Sequence, residues 1–125
     1  MYKIIIPTEL PSMNEMIASA KKGSGAYQPY AEMKREYTNI CAIFTRKAVK
    51  KPISNPVILH ITWYCKNKKK DMDNVAAGKK FIFDGLQKSG ILKNDGWSEI
   101  KGWEEEFEVD KEKPRVEILV EEVEG

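Results

Sequence analysis

Nine residues, Val57 to Cys65, carry the strongest strand signal in the chain. Val57, Leu59, Ile61, Trp63 and Cys65 share one parity, while His60, Thr62 and Tyr64 share the other. Such a period of two, rich in β-branched and aromatic side chains, predicts a strand with one face in the core. Pro52 and Pro56 bound the loop before it. The next residues are charged: Lys66, Lys68, Lys69 and Lys70, then Asp71 and Asp73. A strand therefore delivers two acids and a basic run to its own end, where a rigid sheet can hold them.

The flanking segments complete a small mixed domain. Tyr2–Ile6 reads as a short strand ended by Pro7, and residues 7–14 as a structured turn with two prolines. Residues 19–26, with Gly23 and Gly25 around Ser24, read as a mobile loop carrying Lys21 and Lys22. Pro29 opens a helix to about Lys50, its stripe being Tyr30, Met33, Tyr37, Ile40, Cys41, Phe44 and Ala48. A second helix, capped by Asp73 or Asn74, runs to about Lys88 and ends at the glycine of Ser89-Gly90. Trp97 to about Val109 and Arg115–Glu121 come next as two strands, with residues 110–114 as their hairpin loop. Phe107, Val109, Val116, Ile118 and Val120 are expected to point inward. The expected fold class is α/β in the α+β sense. It is one domain over residues 1–125, with a mixed sheet of about four strands, two main helices and the order β-α-β-α-β-β.

At about 100° per residue, Val75, Gly78, Ile82 and Leu86 gather on one side of the second helix. Asp73, Lys80, Asp84 and Gln87 gather on the other, and Lys79 points away from that line. Lys80 is therefore the candidate active-site lysine. An ordinary surface pair between Lys80 and Asp84 is the plainer reading.

Charge is distributed unevenly. Residues 1–95 hold 17 Lys and Arg against 8 Asp and Glu, whereas residues 96–125 hold 4 against 11; the balances of +9 and −7 sum to +2. Four of the eight acids in the basic part are Asp71, Asp73, Asp84 and Asp95. Carboxylates that converge repel one another, and a cation between them relieves the repulsion. Hard oxygen ligands point to magnesium, with manganese as the alternative. Lysines around such a site suit a polyanion, DNA or RNA, held without reading its sequence. A hydrophobic share of 42% argues against disorder. No apolar run is long enough to span a bilayer and no signal peptide opens the chain, so a cytoplasmic protein with no membrane partner is expected. Cys41 and Cys65 lack metal-like spacing and read as buried free thiols. The single histidine, His60, reads as structural.

Asp71-Met72-Asp73-Asn74, the run FDGLQKSGIL ahead of Asn94-Asp95, and the earlier Pro11, Ser12 and Asn14 together resemble the RusA-type endodeoxyribonucleases. These are Holliday junction resolvases common in phages and prophages. The resemblance implies a small homodimer that binds four-way junctions and makes paired symmetric nicks with magnesium during recombination and repair. It carries the metal-binding role to Asp71, Asp73 and Asp95, the essential lysine to Lys80, and a supporting role to Asp84, with Asn74 beside them. The interval from Asp73 to the lysine is about one turn longer than in the best known member. Lys66, Lys68, Lys69 and Lys70 are expected to hold the phosphate backbone; Lys21 and Lys22 are candidates to close on it, a solvated loop being the plainer reading. Two other readings use the same residues: a non-catalytic DNA-binding protein, and a metal-dependent nuclease acting on other branched nucleic acids.

Overall fold

In the computed structural model, which describes residues 1–124, the described residues form four strands and four helices. Their order is β1 (Tyr2–Ile6), α1 (Met13–Lys21), α2 (Pro29–Ala48), β2 (Val57–Cys65), α3 (Met72–Ala76), α4 (Lys79–Lys88), β3 (Ile100–Val109) and β4 (Arg115–Glu122). The strands make one mixed sheet in the order β1-β4-β2-β3. β2 is bonded along both edges, antiparallel to β4 and parallel to β3. Its alternation is realised up to Trp63: Val57, Leu59, Ile61 and Trp63 are buried together with Ile4, Ile6, Val116, Ile118 and Val120 from the neighbouring strands, whereas Cys65, at the end of the strand, is only partly buried, unlike Cys41. Helices α2 and α4 supply Cys41, Phe81, Ile82 and Leu86 to the same core. Each large side chain buried in this way contributes about 1.5–3 kcal/mol.

Three expectations are corrected. The loop 110–114 does not close a hairpin, because β3 and β4 lie on opposite edges of β2. It passes over the end of β2, with the Asp110 amide donating to the Cys65 carbonyl at 2.8 Å. A strand as apolar as β2 is satisfied best with a neighbour on each edge, and β3 becomes an edge strand instead. Val109 is accordingly exposed rather than inward.

The second correction concerns residues 13–21, which form helix α1, so that Ser19 to Lys21 are helical and Lys22 is the C-cap. Ser12 and Glu15 make a reciprocal capping box at its start, a sequence signal with a direct physical meaning.

The third is the helix after Asp71. It is two helices, with Asp71 rather than Asp73 or Asn74 at the N-cap of the first. Between them the amides of Gly78 and Phe81 donate to carbonyls three residues back, at 3.1 and 3.0 Å. That tighter winding advances the phase faster than an α-helix does. Gly78 is where the chain presses on β2: a Cβ there would lie 2.9 Å from Leu10 Cβ and 3.3 Å from the Trp63 ring.

The outer face of the sheet carries Glu104, Glu106, Glu117 and Glu121 around His60. The imidazole bridges Glu121 at 2.8 Å and Glu104 at 3.2 Å. The Glu121 bond raises the His60 pKa above its ordinary 6.5; partial burial opposes this, and Glu104 adds to it. A raised histidine contributes stability that is fully present below the unfolded value and lost as pH rises through the folded one. The denaturation midpoint of wild type should therefore exceed that of His60→Gln most at about pH 5.5, with the difference shrinking towards about pH 8.5. A constant difference across that window would show that the pairing carries no charge-dependent stability.

Helix α4 crosses α2 at Gly85, where an added Cβ would lie 2.5 Å from Cys41 Cβ and 3.1 Å from the Ala42 amide nitrogen. The obstacle at Ala42 is backbone, which cannot swing aside. Gly85→Ala should lower unfolding free energy by about 1–3 kcal/mol, read as a reduced denaturation midpoint at unchanged m-value. An unchanged midpoint would mean that the two helices can separate at no cost.

Candidate functional site

The segment after β2 is clamped before it becomes helical. Lys70 Nζ meets Glu15 Oε1 at 2.7 Å, and Asn74 Oδ1 accepts from the Asn14 amide at 3.0 Å. Glu15 also serves the capping box of α1, so one carboxylate joins both helix starts. Partial burial works to raise the Glu15 pKa, but the bonds from Lys70 and Ser12 outweigh it and hold the carboxyl below its ordinary 4.5. The starts of α1 and α3 are thus fastened together at two points.

Between those points stand Asp71 and Asp73. Asp71 occupies the N-cap position, yet its side chain makes no capping bond. Asp73 accepts only from the neighbouring Asn74 amide, at 2.9 Å. Both are exposed, and among the described residues neither is in an ion pair. Two carboxylates held close in sequence and left without a cationic partner are suited by their donor chemistry to a hard divalent ion.

Asp73 opens onto a cleft of about 650 Å³ bounded by Met13, Met72, Phe83, Trp103 and Phe107, with Lys79, Lys80 and Glu105 as its other charged groups. Sequence phase alone turns Lys79 away from Asp73. The tightened junction brings both lysines to this cleft, and they differ in what holds them. Lys79 Nζ contacts Glu105 Oε1 at 2.5 Å and lies 5.7 Å from the Trp103 ring centroid. Glu105 in turn accepts from the indoles of Trp63 and Trp103 at 2.9 and 3.1 Å. Lys80 is half exposed and only loosely paired, 3.6 Å from Asp84. Glu105 is a site residue that sequence reasoning missed. It stands at inward parity on β3, between Trp103 and Phe107, and an acid at such a position needs a partner.

A second hollow adjoins the first, sharing Met72 and Phe107 with it, and is lined by Asp71, Lys68 and Lys70. Lys66 and Lys69 line a third beside Lys70. The basic run therefore surrounds Asp71. Lys21 and Lys22 belong to the far end of α1 and enter none of these clefts.

Asp95 is not brought to the pair within the chain. Gly96 accepts from the Ile100 amide at 3.0 Å, which puts Asp95 at the Val57 end of the parallel β2–β3 pair. Asp71 shares its hollow with Cys65 and Val109, at the opposite end. Consistently, no three of His, Cys, Asp and Glu among the described residues converge closely enough to hold a metal ion. Asp84 faces a separate cleft between α2 and α4.

A comparison with protein-family models matches residues 7–121 to endodeoxyribonuclease RusA. The match spans nearly the whole chain. The chain belongs to the RusA endodeoxyribonuclease family. A comparison with curated proteins finds no match.

RusA enzymes are Holliday junction resolvases, nucleases that hydrolyse DNA phosphodiester bonds at branched junctions. Enzymes of this kind are typically metal-dependent. That activity accords with a basic run beside exposed acids, and no helix among the described residues is long and apolar enough to cross a membrane.

The two lysines of the cleft beside Asp73 should separate experimentally. Lys79→Ala strips a half-buried carboxylate of its cation and should cost about 1–3 kcal/mol of stability. Lys80→Ala should change stability by no more than about 0.5 kcal/mol while reducing single-turnover cleavage about 100-fold or more. If Lys80→Ala cuts at the wild-type rate, Lys80 has no part in the chemistry.

Proposed function

We propose that this protein is a magnesium-dependent Holliday junction resolvase, with manganese as a substitute, that acts as a homodimer and makes paired symmetric nicks. The observation that carries the reading is the exposed, unpaired Asp71–Asp73 couple, clamped between α1 and α3 and adjoining Lys80. We further propose that residues 1–125 work as one catalytic unit, that the setting is the cytoplasm, and that the origin is a phage or prophage.

Asp71, Asp73 and Asp95 would hold the ion. Because Asp95 stands at the other end of the β2–β3 pair, the proposal requires the connection before β3 of the second copy in the dimer to reach the aspartate couple. A divalent ion bound there supplies Lewis-acid stabilisation of the scissile phosphate and lowers the pKa of water. The chain's own residues do the rest. Lys80 places a positive charge against the charge that builds on the phosphate as the bond breaks. Lys66, Lys68, Lys69 and Lys70 align the backbone without reading bases, and Lys21 and Lys22 add longer-range attraction. Lys79, tied to Glu105 and the two indoles, keeps the cleft wall in place, while Asp84 tethers Lys80 and Asn74 holds the acid segment. Two copies related by a two-fold axis would present two such sites to strands of like polarity.

Asp73→Asn preserves size and hydrogen bonding while removing a charge and a ligand. With a labelled four-way junction and magnesium, its cleavage should collapse to background. In chelator its junction affinity should match or exceed that of wild type, since one repulsive charge is gone. Sedimentation of the same samples should show a dimer at micromolar concentration for both proteins. A folded Asp73→Asn that cuts like wild type would refute the site, and a monomer that resolves junctions would refute the assembly.

A further inference from the structure

The cleft between α2 and α4 has no part in the proposed metal site, and its chemistry is not explained by folding. Lys34, Arg35 and Thr38 of α2 face Asp84, Gln87 and Lys88 of α4 across it. Three cations meet one carboxylate, and that carboxylate is already paired with Lys80. Among the described residues neither Lys34 nor Arg35 has an acid partner, although Lys3, Lys70, Lys79 and Arg115 each have one. Lys88 reaches only the neutral amide of Asn39. The Thr38 hydroxyl, on a residue only 9% exposed, has no hydrogen-bond partner. Packing does not require these cations, because the helices meet at Gly85 against Cys41. The helix dipole accounts at most for Lys88, in the last turn of α4, since Lys34 and Arg35 lie in the second turn of α2, at the end where a cation is disfavoured.

We propose that this cleft is a second phosphate subsite, holding a backbone phosphate of the bound DNA away from the scissile one; the proposal rests on the nuclease reading. Continuity supports it. Lys80, Asp84, Gln87 and Lys88 succeed one another at helical spacing on α4, so the surface that begins beside Asp73 leads into the cleft. Eight residues of helix span about 12 Å, the rise of three to four nucleotides of one strand. With the lysines around Asp71 at the other end, the aspartate couple lies along a basic track that contacts the backbone on both sides of the cut. Charge supports it too: the helix side carries the unpaired cations, and the outer sheet face carries the glutamates. Asp84 opposes an anion, and Lys80 holds it to one side of the cleft.

The test uses the full chain and a labelled four-way junction in chelator, with affinity measured over a series of salt concentrations. Removing one phosphate-binding cation lowers the slope of log affinity against log salt by about 0.9. Lys34→Ala/Arg35→Ala, two exposed positions where alanine favours the helix, should lower the slope by about 1.8 and weaken binding about tenfold at physiological salt, for junction and plain duplex alike. Lys88→Ala, on the other wall, should lower it by about 0.9. Cleavage at saturating junction should stay at the wild-type rate. Wild-type slope and affinity in these variants would overturn the subsite and leave the cleft to some other anion, such as an acidic protein segment. An equal loss in the control Lys50→Ala/Lys51→Ala, two exposed lysines in the loop after α2 and outside all of these clefts, would also overturn it, by reducing the effect to net charge. A wild-type protein that binds junctions but never cuts them would instead refute the nuclease reading, and the salt slopes would still judge the cleft.

Discussion

The pairing of β2 on both edges is the constraint on which the remaining structure depends. One face of this strand supplies the floor of the core, and its end launches the Lys66–Asp73 segment. Because β4 and β3 occupy its two edges, the loop 110–114 must cross its tip, and β3 becomes an edge with its inner side turned towards α4. That placement lets Trp103, Glu105 and Phe107 form a wall opposite Asp73. A hairpin of β3 with β4 would have put those side chains elsewhere and left Lys79 without its carboxylate.

Two glycines translate the packing into site geometry. Gly78 admits Leu10 and the Trp63 ring where a side chain would collide, and Gly85 admits α2. The first goes with a tightened turn that shifts the phase of everything after it. Lys79 is thereby drawn to Glu105 and becomes part of the wall, while Lys80 stays half exposed and loosely tied. Adjacent residues of the same type so come to have unlike surroundings, one a structural cation and one available to a substrate.

The imbalance of charge along the chain becomes an imbalance between faces. Glutamates from β3 and β4 meet His60 on the outer sheet face, whereas α2, α4 and the segment after β2 carry the cations. A polyanion is attracted to the side that holds the aspartate couple and repelled from the other. The couple is tolerated inside the positive region because its attachment is mechanical, through Asn74–Asn14 and Lys70–Glu15, and leaves both carboxylates unspent.

Local patterns were enough for β1 and β2, for the start of α2, for the end of α4 at Gly90 with its positive φ of 80°, and for the acid-and-lysine motif of the family. Each rests on neighbours in sequence: alternation, a proline at a first turn, a glycine past a last turn, aspartates two apart. The capping box of α1 was equally local, a signal present in Ser12 and Glu15. Tertiary structure decided what spacing cannot express. Strand order was decided by which edges β2 leaves open, the break at Gly78 by the bulk of Trp63 and Leu10 beneath it, and the partner of Lys79 by a glutamate 26 residues away. The separation of Asp95 from Asp71 was likewise decided by the parallel register of β2 and β3, which places the two residues at opposite ends of one strand pair.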